Sequence, residues 1–298
     1  MTNQRVIFGE VLFDVFASGK RLGGAPFNVA CHLAGLGSAP LFVSRIGIDA
    51  EGEAVRTQLQ HLGMDTAGLQ TDPRLPTGQV VVHEGKRGHQ FEILPDQAYD
   101  AIDCKLLAPL LPEKPNLLYH GTLALRGDSR TAWRYLCEQI PHRFVDINLR
   151  APYWDVATLE EILPGAQTLK LNRDELDILS GLFGNPAKNI EQRLAKLAER
   201  FAIGEILLTL DKDGATYWSP EQYFQIPSDV ETIVNTVGAG DAFSAAWLHA
   251  RALGKSRRDA LQFANRLAGV VCTLPGALPT DRQFYQTSRA STPAIDLG

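Results

Sequence analysis

Short apolar runs alternate with amphipathic stretches along most of this chain, a pattern that predicts buried strands interleaved with core-facing helices. The strand candidates are residues 6–8, 41–44, 117–120, 144–147, 168–171 and 206–210. Between the first two, Phe27, Ala30, Cys31 and Ala34 recur at helical spacing, with Pro26 in the first turn and Gly35 and Gly37 closing the pattern. Trp133, Leu136, Cys137 and Ile140 repeat that stripe, and Val55, Leu59 and Leu62 make a similar one ended by Gly63. Strand-then-helix order of this kind predicts an α/β fold, a large and mostly parallel sheet held between helices.

Two segments break the rhythm. In residues 78–94, Val80 to His83 and Gln90 to Leu94 flank the turn-rich Glu84-Gly85-Lys86-Arg87-Gly88, which reads as a β-hairpin. Residues 11–22 are strand-like but too polar on one side for the core of a parallel sheet. Together they predict a small β-lid over one face, inserted at about residues 11–22 and 78–98 of a single domain spanning 1–298. No internal repeat, low-complexity tract or Pro/Gly/Ser-rich linker marks a boundary.

At 298 residues the chain can bury a sizeable core with an accessory element beside it. A formal charge of −5 and the lack of a basic block disfavour a general nucleic-acid binder, because backbone affinity comes from Lys and Arg. Cys31, Cys104, Cys137 and Cys272 are scattered with no CxxC pair, so neither a zinc site nor a disulfide framework is expected. Glu10 and Asp14 interrupt the N-terminal apolar run, which excludes a signal peptide there, and no run reaches membrane-spanning length. The expected location is the cytoplasm.

The most informative stretch is Asn235-Thr236-Val237-Gly238-Ala239-Gly240-Asp241-Ala242-Phe243, where a small-residue turn runs into an amphipathic helix carrying Ala245, Leu248 and Leu253. A glycine-preceded helix N-terminus is an anion site, since free N–H groups and the positive dipole end converge there. A carboxylate in that place either caps the helix or accepts the proton of an attacking hydroxyl. The stretch is neither a Walker A loop nor a dinucleotide-binding GxGxxG.

Further upstream, Gly23-Gly24-Ala25-Pro26-Phe27-Asn28 places an amide at a helix start, with Asp14 shortly before it. Asp and Asn together can hold several sugar hydroxyls, although a Gly-Gly pair alone also makes a tight turn. Asn172 and Glu175 lie three apart at the start of the helix after residues 168–171. That spacing could serve a Mg²⁺ and phosphate site, but taken alone it favours a capping box.

The ordered segments GGAPFNVA, LNRDE, TLDKDGA and NTVGAGDAF resemble those of PfkB-type, ribokinase-like sugar kinases over nearly the full length. Within that family, Gly9-Glu10-Val11-Leu12-Phe13-Asp14 and Asp146-Ile147-Asn148-Leu149-Arg150 followed by Tyr153-Trp154 look most like fructokinases. The resemblance implies Asp241 as the base and Gly238, Ala239 and Gly240 as its anion hole. It implies sugar contacts from Asp14, Gly23, Gly24 and Asn28 under the lid, with Arg87 and Arg150 as further substrate candidates. Asn172, Thr209, Gly214, Gly238, Gly240 and Asn265 become nucleotide-contacting positions, and Glu175 acts on Mg²⁺ through water. ATP and Mg²⁺ are the implied nucleotide and metal, and a homodimer through the lid is the implied assembly.

Two positions depart from the family pattern. Asn235 stands where relatives carry an Asp that helps hold a monovalent cation such as K⁺; Asn keeps an oxygen ligand for that ion but loses the charge, which leaves potassium activation open. Asp211 stands where glycine is commoner, so its side chain is expected to face solvent. Three functions follow for weighing. A fructokinase leads; a 2-keto-3-deoxygluconate kinase would need a cation for its acid substrate, with Arg21, Arg87 and Arg150 as candidates; a non-catalytic sugar-binding protein would be expected to have lost the Gly-Ala-Gly-Asp set.

Overall fold

The computed structural model describes residues 5–85, 88–184, 187, 189–228, 233–279, 281 and 283–285. The first half of the chain runs β1 (Arg5–Phe8), β2 (Leu12–Phe16), β3 (Gly19–Gly23), α1 (Ala25–Gly35), β4 (Leu41–Gly47), α2 (Ala50–His61), β5 (Leu69–Asp72), β6 (Gly78–Gly85), β7 (Gly88–Ile93), β8 (Leu117–His120), α3 (Ser129–Gln139) and β9 (Arg143–Asp146). The second half adds α4 (Val156–Ile162), β10 (Thr168–Asn172), α5 (Arg173–Leu182), α6 (Ile190–Phe201), β11 (Glu205–Thr209), β12 (Ala215–Trp218), β13 (Tyr223–Ile226), α7 (Ala239–Ala252) and α8 (Arg257–Val271). Every strand and helix expected from the apolar pattern is present, with ends displaced by a few residues.

Nine strands form the main sheet in the order β13-β12-β11-β10-β9-β8-β1-β4-β5. From β11 to β5 all pairings are parallel, and β12 and β13 close one side antiparallel. The pleat explains the two cores. Val6, Phe8, Leu169, Leu171, Ile206 and Leu208 face the side covered by α3 to α6, where Trp133, Leu159, Leu176 and Leu194 pack. Ile7 and Leu207 face the other side, against Phe27, Val55, Phe243 and Leu261 from α1, α2, α7 and α8. Burying one such side chain stabilises the fold by about 1.5–3 kcal/mol. By the same alternation Lys170, between Leu169 and Leu171, points towards α7.

The lid is a separate four-stranded sheet, β3-β2-β6-β7. Residues 11–22 make a two-strand hairpin, β2 against β3, instead of one strand. Their polar side is explained by Lys20 and Arg21 on the outer strand, where the side chains are exposed. β2 pairs parallel with β6, so Leu12 sits opposite Gly78 and Asp14 opposite Val80. The two inserted segments thereby become one surface on the side of Arg150 and Tyr153, which follow β9, with the Tyr153 hydroxyl donating to the Ile93 carbonyl at the end of β7; the carboxyl end of a parallel sheet is where ligands bind.

Candidate active site

α7 begins with Gly238 as its N-cap at φ 81°, a left-handed conformation that glycine adopts without strain. The room there is also closed, because a Cβ would stand 2.4 Å from the Ala277 methyl. The N–H of Ala239 turns back to the Thr236 carbonyl at 3.2 Å, while Gly240 and Asp241 follow as first-turn donors without an intrahelical acceptor. Lys170 lies directly beneath this turn: a Cβ on Gly240 would come within 2.9 Å of its Nζ. The buried ammonium therefore adds a full positive charge to the dipole end of α7.

Lys170 is held by Asp146, Nζ to Oδ1 at 3.1 Å, and the other Asp146 oxygen accepts from the Tyr119 and Ser244 hydroxyls, each at 3.1 Å. Burial works against the lysine's charge, but Asp146, Glu175 and Asp241 outweigh it and hold the ammonium above its ordinary range.

Asp241 is pushed up to about 6. Burial is the main cause and nearby Asp146 adds to it, whereas the Asn28 amide, Lys170 and Arg150 pull the other way. Asn28 Nδ2 donates to Asp241 Oδ2 at 2.8 Å, and both residues start helices that pack against each other. A carboxylate that is buried, hydrogen-bonded on one oxygen and titrating near neutrality is suited to accept a proton.

Asp14, on the lid strand β2, is raised by burial and drawn back by Arg150 and Arg21. Arg150 acts on Glu10, Asp14 and Asp241 alike, although its own side chain is exposed. Arg21 is partly committed elsewhere, lying 4.8 Å over the Phe16 ring and donating to the Pro275 carbonyl at 3.4 Å. Gly23 and Gly24 lead into α1 beside Asp14 and Asn28, while Arg87 lies outside the described residues.

Along the sheet, Asn172 and Thr209 sit opposite each other at the ends of β10 and β11. Asn172 and Glu175 form the complete capping box of α5, Glu175 N–H to Asn172 at 2.9 Å and Asn172 N–H to Glu175 at 2.8 Å. Glu175 also accepts the Leu149 N–H at 2.9 Å. With one amide on each oxygen, its carboxylate is better placed to act on a metal through water than directly. Among the described residues no cluster of three or more His, Cys, Asp or Glu could hold a metal by itself. Gly214 closes the turn after β11, and Asn265 on α8 donates to the Pro227 carbonyl at 2.8 Å.

Asp211 is exposed, and its φ of 51° accounts for the family's preference for glycine there; Asp tolerates that region better than most residues. Asn235 is committed to two partners. Its Oδ1 accepts from the Val237 N–H at 3.0 Å and its Nδ2 donates to the Pro275 carbonyl at 3.3 Å. These opposed partners fix the amide orientation, so an N–H occupies the line to that carbonyl.

Sequence reasoning did not single out Glu10 or Lys170 as site residues. The available signal was a charged residue in an apolar strand or directly after one, which needs a partner if it is buried.

A parallel sheet with a β-lid, a glycine-lined helix N-terminus over a buried lysine, and a near-neutral carboxylate between them define a ribokinase-like phosphotransferase. The comparisons agree. The profile of the pfkB family carbohydrate kinases matches residues 2–282, and the chain belongs to that family. Fructokinase-2 of Zea mays is 28% identical over 93% of this chain and 90% of its own length; fructokinase-1 of Oryza sativa subsp. japonica is 26% identical over 92% and 93%. The crystal structure of fructokinase from Vibrio cholerae O395, bound to fructose, ADP and calcium ion, superposes with a TM-score of 0.80 at 25% identity, covering 96% of this chain and 99% of that one. An ATP complex of a Pyrococcus horikoshii sugar kinase gives 0.79 at 26%, covering 92% and 93%. The protein is a carbohydrate kinase, and no helix among the described residues is long and apolar enough to cross a membrane.

Proposed function

We propose that the protein is an ATP-dependent fructokinase in which Asp241 takes the proton of a primary sugar hydroxyl as the γ-phosphoryl group moves in line onto that oxygen. The observation that carries this reading is the part-buried Asn28–Asp241 pair at the mouth of α7. Asn28 orients the carboxylate, Lys170 and the α7 amides stabilise charge on the phosphoryl group, and the lid sheet excludes water that would compete for it. Mg²⁺, when bound with the nucleotide, would neutralise phosphate charge, with Glu175 reaching it through water. Asn172, Thr209, Gly214 and Asn265 lie on the side of the sheet where the nucleotide would rest.

A neutral sugar fits the electrostatics better than a sugar acid. Glu10, Asp14 and Asp241 surround the Arg150 charge, so a substrate carboxylate would meet an arginine already compensated. The relatives named fructokinase support the same choice. The specific observation on the side of 2-keto-3-deoxygluconate is that Arg150 is exposed and available to a ligand. The Asn235 N–H aimed at Pro275 argues against potassium activation. Cytoplasmic location and a homodimer through the lid belong to the same reading; the exposed Phe91 on the lid's edge strand favours the latter, and sedimentation tests it.

Coupled ADP release across fructose, ribose, a nucleoside and 2-keto-3-deoxygluconate tests the assignment. Fructose should give the highest kcat/KM. A faster sugar acid would overturn the fructose reading, and no turnover of any sugar would overturn Asp241 as a working base.

A further inference from the structure

Two acceptor atoms in this site are buried without a partner among the described residues, Glu10 Oε2 and Asn28 Oδ1. Each orphan costs about 1–3 kcal/mol unless a ligand supplies a donor. Glu10 is only 3% exposed and follows β1 in the loop leading to the lid, where a Cβ at Gly24 would stand 2.7 Å from its carbonyl. Its own N–H and that of Ala25, the first residue of α1, draw the charge of its carboxylate back against the effect of burial. One turn on, the same helix carries Asn28 and its bond to Asp241. The Glu10 carboxylate interacts electrostatically with Asp241 and Arg150, two charges of the candidate site.

We propose that Glu10 is a substrate-gripping residue whose orphaned Oε2 accepts a hydroxyl of the bound sugar beside the one that reacts. The inference rests on the sugar-kinase reading and assigns a residue to it that the motif comparison leaves out. A hydroxyl is a suitable donor because it enters neutral, so the site gains no second buried charge.

The test pairs Glu10→Gln with single-deoxy analogues of fructose, or of the best sugar in the substrate panel. Gln keeps the size of the side chain and one acceptor oxygen but loses the charge. The expected result is a rise of about 10- to 100-fold in the sugar KM, with the ATP KM within about twofold of wild type. One deoxy analogue should be poor with the wild type yet nearly as good as the parent sugar with the variant, a coupling that a merely structural residue would not show. An unchanged sugar KM, or deoxy penalties equal in both proteins, overturns the proposal while leaving wild-type turnover, and so the kinase reading, intact. If Glu10→Gln does not fold, a crystal of wild type with sugar alone decides. A sugar oxygen about 2.6–3.2 Å from Oε2 supports the proposal, and none there overturns it.

Discussion

Replacing Asp241 by Asn removes a buried negative charge while keeping the shape of the side chain, and it should make the protein inactive and more stable together. The carboxyl is displaced from an ordinary 3.8 up to about 6. Because the folded value is raised, the unfolded chain loses its proton first, so stability falls as pH rises through this window and levels off above about 6. Linkage over that displacement gives a cost to the ionised folded form of about 1.6 kcal/mol at pH 5 and about 3 kcal/mol at pH 8. Urea unfolding of wild type and variant at these two pH values should show the variant's advantage widening by about 1.4 kcal/mol, a difference that cancels any constant effect of the new amide. Turnover should fall by about 10²–10⁴-fold, the usual contribution of a general base. An advantage that stays flat or narrows from pH 5 to pH 8, or a variant keeping more than about a tenth of its turnover, would refute the link between burial of this carboxylate and its use as a base.

Asn28→Ala removes the hydrogen bond that lowers Asp241, so the acid limb of kcat/KM should move up from about 6 by about one unit, with activity recovered at higher pH; a limb that stays in place would show the amide to be incidental. Lys170→Met strands the buried Asp146 carboxylate and should lower unfolding free energy by about 3–5 kcal/mol; a loss under about 1 kcal/mol in urea melts would mean that the pair is readily replaced. Turnover in tetramethylammonium, sodium and potassium chloride should agree within about twofold for wild type, and potassium should not raise its thermal midpoint; Asn235→Asp should bring potassium dependence of both. Marked potassium activation of the wild type would show that the Asn235–Pro275 bridge opens to admit the ion.

The apolar pattern determined the fold class because a strand buried on both faces and a helix buried on one leave different periods in the sequence. The runs at residues 6–8, 117–120 and 168–171 became β1, β8 and β10 nearly unchanged. The Gly-Ala-Gly-Asp turn was equally legible, since few residue types can start a helix at left-handed φ with an open anion site. Sequence could not show that residues 11–22 fold back as a hairpin and join β6, because that register is set by pairing between segments far apart in the chain. The spacing of Asn172 and Glu175 already favoured a cap, and the structure shows the complete capping box. Only the tertiary structure brought Lys170 under Gly240, Asn28 onto Asp241, and Glu10 to the first turn of α1. Each of those contacts involves one charged group, Lys170, Asp241 or Glu10, that would be unfavourable alone in a low-dielectric interior, and three-dimensional packing decides what surrounds it.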